Sequence, residues 1–280
     1  MIYLMGPHLS MDITEYHNHQ AVSKSKLDSI ALSPLHYWSR WLDPNRTQPQ
    51  PTPAMEFGTA VHTAVLEPDR FATEYRQAPD LPKTTKAGKD AWAAAAADGH
   101  KLLRTDDWCA VQGILRSVFE HPMARKALLA SGSPEQSLFA ACRKTGLELK
   151  ARPDYLTDSG WIIDLKTTQD ASTRGFQKSA ANFRYHVQAA HYLNVYKLAT
   201  GEHPKGFIFI AVEKVAPFAV QVFEASPNFV QVGMIEAQRN LQALAHALQS
   251  YDSALPWPSY SDAMVQLDPP SWLSPQLPEM

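Results

Sequence analysis

Residues 149–168 read LKARPDYLTDSGWIIDLKTT, and this stretch restricts the fold more than any other part of the chain. Asp158-Ser159-Gly160 is a turn signal, and the residues on either side are rich in the β-branched and aromatic types that strands prefer. With that triplet as a hairpin loop, Thr157 pairs with Trp161, and counting back along both strands sets Asp154 directly opposite Asp164. Like charges facing each other across a sheet are destabilising, and an unpaired buried carboxylate costs several kcal/mol, so a positive group must lie between them. Side chains two apart share a strand face; Lys166 therefore projects beside Asp164, while Ile163 and Leu165 point to the opposite, apolar side.

An isolated Asp-x-Lys pair also suits a surface carboxylate with its lysine. The apolar flanks and the matched hairpin point instead to two carboxylates converging beside an ammonium. That arrangement suits a hard divalent cation such as Mg2+, with the lysine stabilising charge on a phosphoryl group. It is the D-(x)n-(D/E)-x-K order of metal-dependent nucleases.

The remainder fits an α/β chain of 280 residues, 45% hydrophobic and 19% charged, long enough to bury a real core. Its net charge of -2 gives no global sign of a polyanion partner, so any nucleic-acid contact must be local. Cys109 and Cys142 are too few for a disulfide framework or a four-cysteine metal site and are expected as reduced core thiols. No run of residues is apolar and long enough for a membrane span, and the N-terminal MIYLMGPHLS lacks the marks of a secretory signal, so a cytoplasmic protein is expected.

Helical patterns dominate residues 1–130: a short entry over VSKSKLDSIALSPLHYWSRWLD, the Pro-rich linker PNRTQPQPTPAM, then EFGTAVHTAVLEP, KDAWAAAAADGHKLL and DDWCAVQGILRSVFEHP. In the core at 131–250, QSLFAACRK, LELKARPDYLT and GWIIDLKTT read as a three-strand meander. A helix over FRYHVQAAHYLNVYKLA follows, then strands GFIFIAVEK and AVQVFEA around Pro217, and a helix from about Asn228 to Gln249. A Pro-rich tail, 251–280, completes what reads as one domain.

The segments VSKSKLDSIALSPLHYWSRW, EFGTAVHTAVLEPDRF, KARPDYL, WIIDLKTTQDAS and FRYHVQAAHYLNVY, in this order, resemble the C-terminal nuclease domain of the RecE (exonuclease VIII) family of phage and prophage exonucleases. The resemblance runs from about residue 12 to 260. It implies a PD-(D/E)xK core of the restriction-endonuclease type, a central mixed sheet flanked by helices, as in RecB-type nucleases. It also implies a Mg2+-dependent exonuclease, with Mn2+ as a substitute, that degrades the 5'-ended strand from double-stranded DNA ends and leaves a 3' tail for recombination by single-strand annealing. A ring-shaped homo-oligomer, tetramer favoured over trimer, and a RecT-like annealing partner follow from the same resemblance. A PD-(D/E)xK endonuclease, a RecB-like single-strand nuclease and a non-catalytic DNA-binding relative are the alternatives.

Carried over residue by residue, the resemblance assigns metal ligation to His62, Glu135, Asp154 and Asp164, and catalysis to Lys166 with the two aspartates. Lys166 acts either on the attacking water or on the phosphate charge. Gln188 and Tyr192 form the Q-x-x-x-Y pattern of RecB-type nucleases and lie on one helix face, where they contact DNA or orient the site. Gly58 shares a helix face with His62 and is expected to admit a close backbone neighbour. Arg152 is placed for either a phosphate or an ion pair with Glu135 or Glu148, and KTTKAGK (83–89) reads as a polar loop, solvated or DNA-contacting. Trp38, Trp41, Trp257 and Trp272 are expected in packing or at an interface and not as base-stacking platforms, and the His17-x-His19 pair has no further ligands near it in sequence.

Overall fold

The computed structural model describes residues 11–47 and 50–269. The chain opens with α1 (Ile13–Asn18), α2 (Lys24–Leu32), α3 (Pro34–Trp41), α4 (Pro53–Leu66) and α5 (Pro68–Glu74). The entry helix divides in two because Ser33 is fully extended and caps α3, whose first residue, Pro34, has no N–H to continue the previous turn. Strand β1 (Tyr75–Gln77) pairs in parallel with β2 (Lys101–Leu103) around α6 (Lys86–Ala96), so GHKLL ends as a strand and not as helix. The supposed polar loop at 83–89 is corrected too: Thr85 caps α6 by accepting the Gly88 N–H, and residues 86–89 form its first turn. Helices α7 (Thr105–Glu120) and α8 (Pro122–Leu128) complete the helical half.

The remaining elements are β3 (Gly132–Pro134), β4 (Leu138–Ala141), β5 (Glu148–Ala151), β6 (Tyr155–Thr157), β7 (Trp161–Thr168), α9 (Thr173–Asn182), α10 (Tyr185–Thr200), β8 (Gly206–Glu213), β9 (Val220–Glu224) and α11 (Pro227–Ser250). Five strands form a mixed sheet in the order β3-β6-β7-β8-β9, antiparallel except for the central β7–β8 pair. The expected meander is not one sheet. LELKARPDYLT breaks at residues 152–154, where Pro153 cannot donate to a ladder. The first part, β5, pairs with β4 in a separate two-stranded sheet, while β6 joins the large one.

Strand alternation sorts the core into two layers. Ile162, Phe207, Phe209 and Ala211 face the layer built by α2, α3, α10 and α11, whereas Ile163, Leu165, Ile210 and Val212 face the one built by α4, α7 and α8. Trp38 and Trp257 are buried in the first layer and Trp41 packs against it; Trp272 lies outside the described residues. Cys109 is exposed and Cys142 half-buried, so neither is the core thiol expected. Among the described residues no helix is long and apolar enough to cross a membrane.

Candidate active site

The β6–β7 hairpin has the register counted from sequence. Tyr155 pairs with Ile163 and Leu156 with Ile162, so one further step brings Asp154 to Asp164. Thr157 holds the loop by accepting the Trp161 N–H at 2.8 Å. On the other side of β6, Pro134 pairs with Tyr155, and the next step is made by the Glu135 N–H, which donates to the Asp154 carbonyl at 3.1 Å. Glu135, Asp154 and Asp164 therefore stand in one row across three adjacent strands. Glu135 reaches its place with φ of 53°, a left-handed conformation that costs a non-glycine residue free energy and needs anchoring. Arg152 supplies the anchor: its Nε donates to Glu135 Oε2 at 2.8 Å, and its Nη1 to Ser137 Oγ at 2.8 Å and the Met11 carbonyl at 2.9 Å. Of the three partners considered for Arg152, Glu135 is the one it takes.

From the other layer, α4 delivers His62, whose Nδ1 lies 3.3 Å from Asp154 Oδ2. The same Asp154 oxygen accepts the Leu165 N–H at 2.7 Å, fixing the carboxylate against β7. Ligand atoms of His62, Glu135 and Asp154 all lie within 4.8 Å of one another. Asp164 is turned elsewhere: it is 1% exposed, Gln188 Nε2 donates to its Oδ2 at 2.6 Å, and its Oδ1 meets the Lys166 ammonium. Lys166 also lies 4.8 Å above the ring of Tyr185. Tyr192, one turn beyond Gln188 on α10, lines the same cavity as Gln188 and Lys166.

Gly58 has no close neighbour: a Cβ there would meet nothing within 4 Å, so the expected close approach is absent. The tight glycine is Gly233 on α11, where an added Cβ would lie 1.9 Å from the His186 carbonyl of α10. Among the described residues the histidine pair joins no metal-binding group; His19 Nδ1 accepts the Ala21 N–H at 3.2 Å and His17 lines the cavity beside Lys166.

The electrostatics of the row follow from burial. Burial raises the Asp154 pKa well above the usual carboxylate range, and the charges of Asp164 and Glu135 push it further. His62 is lowered by burial and by Lys166, which keeps it neutral with a free lone pair at neutral pH. Burial works against the Lys166 charge, but Asp164 and Asp154 outweigh it and hold the ammonium protonated above its ordinary value. A crowded set of carboxylate oxygens with one neutral imidazole is the donor chemistry of a divalent cation. His62, Glu135 and Asp154 fit such an ion, and Asp164 borders it. Tyr185 was missed from sequence, although it precedes Gln188 by three residues and so shares its helix face.

Residues 23–262 match the family model described as a PDDEXK-like domain of unknown function (DUF3799). A crystal structure from Eubacterium rectale, of a protein provisionally named an exonuclease, superimposes with a TM-score of 0.62 at 14% identity, covering 95% of this chain and 97% of that one. It shares the fold. The structure of SSO0001 covers 85% of this chain and 88% of its own at 13% identity with a TM-score of 0.31, below what a common fold requires. No curated protein matches the sequence.

Proposed function

The chain belongs to the PDDEXK-like DUF3799 family, with the PD-(D/E)xK fold, and on that premise we propose that it is a divalent-cation-dependent DNA exonuclease. The observation that carries this reading is the row Glu135–Asp154–Asp164 with His62 on one side and Lys166 on the other. His62, Glu135 and Asp154, with Asp164 alongside, would hold the cation, Mg2+ or Mn2+. Such an ion supplies positive charge for the phosphate oxygens and a more acidic water.

The protein's own groups do the rest. Arg152 and the Leu165 N–H hold Glu135 and Asp154 in position before any ion arrives. Gln188 fixes the rotamer of Asp164. The protonated ammonium of Lys166 stabilises negative charge developing on the phosphate; its raised pKa favours this role over that of a base. Tyr192 supports the wall of the cleft next to Gln188.

The finer reading is attack at double-stranded ends on the 5'-ended strand, leaving 3' tails for single-strand annealing. It rests on the motif order that resembles the RecE family, together with the name of the Eubacterium rectale protein. A ring of copies and a RecT-like annealing partner belong to the same reading. Linear duplex labelled at its 5' or 3' end tests it: early release of the 5' label as mononucleotide, with closed circular duplex left intact, is expected. Cutting of the closed circle would identify an endonuclease instead.

A further inference from the structure

A cavity of about 590 Å3 opens beside the row of carboxylates, with Lys166 and Gln188 in its wall, a size that encloses small ligands. Its charge is opposite to that of the chain. Lys24, Lys150, Lys166 and Arg184 line it, against Asp28 as the only carboxylate among its described lining residues; Asp28 pairs with Lys24 at 2.7 Å and with Arg184, and Lys166 pairs with Asp164, which leaves a small cationic excess in a chain of net charge -2. Lys150 is 4% exposed and its ammonium donates to the carbonyls of Tyr16 and His19, with no carboxylate partner among the described residues.

The second feature is a column of aromatic rings. Phe209 in the core stacks on Tyr185 with centroids 5.7 Å apart, and Tyr185 stacks on Phe183 at 5.8 Å with the planes 23° apart. The column ends in solvent, since Phe183 is 60% exposed. Its position is not accidental looseness. The next residue, Arg184, adopts a left-handed φ of 54°, and that bend is pinned by ion pairs to Asp28 and Glu236, each at 3.0 Å. Lys24 closes the arrangement by donating to the Phe183 carbonyl at 2.6 Å. A strained, ion-paired bend thus holds an apolar ring out at the mouth of a cationic cavity.

We propose that Phe183 is a stacking platform for the base of an unpaired nucleotide, whose backbone phosphate lies against the cations of this cavity. The inference rests on the nuclease reading and adds a specificity-determining residue to it: the strand entering the site is single at that point. Stacking on an aromatic face tolerates any base, and a cationic groove tracks the backbone.

Binding of a ten-nucleotide oligothymidylate, followed by fluorescence anisotropy in metal-free buffer, tests it against an abasic oligomer of equal length. Phe183→Ala should weaken oligothymidylate binding by about tenfold while leaving abasic binding unchanged, and Phe183→Trp should retain the affinity. Wild type should bind the abasic oligomer about as weakly as Phe183→Ala binds oligothymidylate. Equal loss on both oligomers, or none on either, overturns the proposal. So does a Phe183→Ala variant of unchanged affinity that runs as a smaller species, which would place Phe183 between copies. Mg2+-dependent hydrolysis of duplex DNA is scored separately. Hydrolysis with no Phe183 effect removes this inference alone; base-dependent binding without any hydrolysis removes the nuclease reading and leaves the platform.

Discussion

Replacing Lys166 with methionine isolates what its ammonium does for the protein before any DNA is bound. Methionine keeps much of the apolar stem that the lysine packs, so the change is chiefly one of charge. Asp164 is 1% exposed and would be left with the Gln188 amide as its sole side-chain donor among the described contacts. Removing one partner of a buried ion pair costs about 3–5 kcal/mol, and the partial exposure of Lys166, 18% of its side chain against 2% for Asp164, places this pair at the lower end of that range. For a protein of this size that is a fall in Tm of roughly 10 °C, read by circular dichroism in EDTA. Adding Asp164→Asn removes the stranded charge and should recover most of the loss. Mg2+ or Mn2+ should raise the Tm of Lys166→Met by more than that of wild type, because a cation then replaces the missing charge. A Lys166→Met protein within about 1 kcal/mol of wild type, or a double variant no better than the single one, would refute the buried-pair argument.

Metal alone should stabilise the native wild type, with a Tm that climbs with Mg2+ or Mn2+ concentration, and Glu135→Gln combined with Asp154→Asn should abolish that climb. His191 is buried and its pKa is lowered from 6.5 to about 4, while its Nε2 pairs with the Lys150 carbonyl at 2.9 Å. Its folded pKa lies below its unfolded one, so the stability it supports is complete above pH 6.5 and is lost as pH falls through 4. Urea unfolding should show about 3 kcal/mol of that loss, and a His191→Met variant should have a correspondingly flatter acid limb. The two glycines should behave oppositely in the same assay: Gly58→Ala gains about 0.5–1 kcal/mol of helix propensity in open space, whereas Gly233→Ala forces α10 and α11 apart and loses stability.

The hairpin was legible because its register depends on a local turn, and Asp158-Ser159-Gly160 sets that turn without help from the rest of the fold. The long helix α11 was legible for a similar reason, having a Ser226 cap and a sustained period. What failed was non-local or backbone-specific. The break at Pro153 was written in the sequence, yet only the competition between two sheets shows which side each half joins. Helix α9 passed unseen, since TRGFQKSAAN is largely polar and its burial rests on Phe176 and Ala180. Glu135 could be matched by family resemblance, but its left-handed backbone and the Arg152 clamp depend on contacts seventeen residues away. Gly58 and Gly233 look alike in sequence; only the packing of α10 on α11 distinguishes them.

A row of carboxylates with Lys166 that works as a metal-dependent hydrolytic centre is tested most directly by rate measurement on linear duplex DNA. Wild type and Asp154→Asn should be compared in Mg2+, in Ca2+ and in EDTA, with melting curves confirming that the variant is folded. Hydrolysis in Mg2+, little in Ca2+, none in EDTA, and a fall of about 100-fold or more in Asp154→Asn is the expected result. Hydrolysis that persists in EDTA, or a folded Asp154→Asn protein that digests DNA at the wild-type rate, would contradict it.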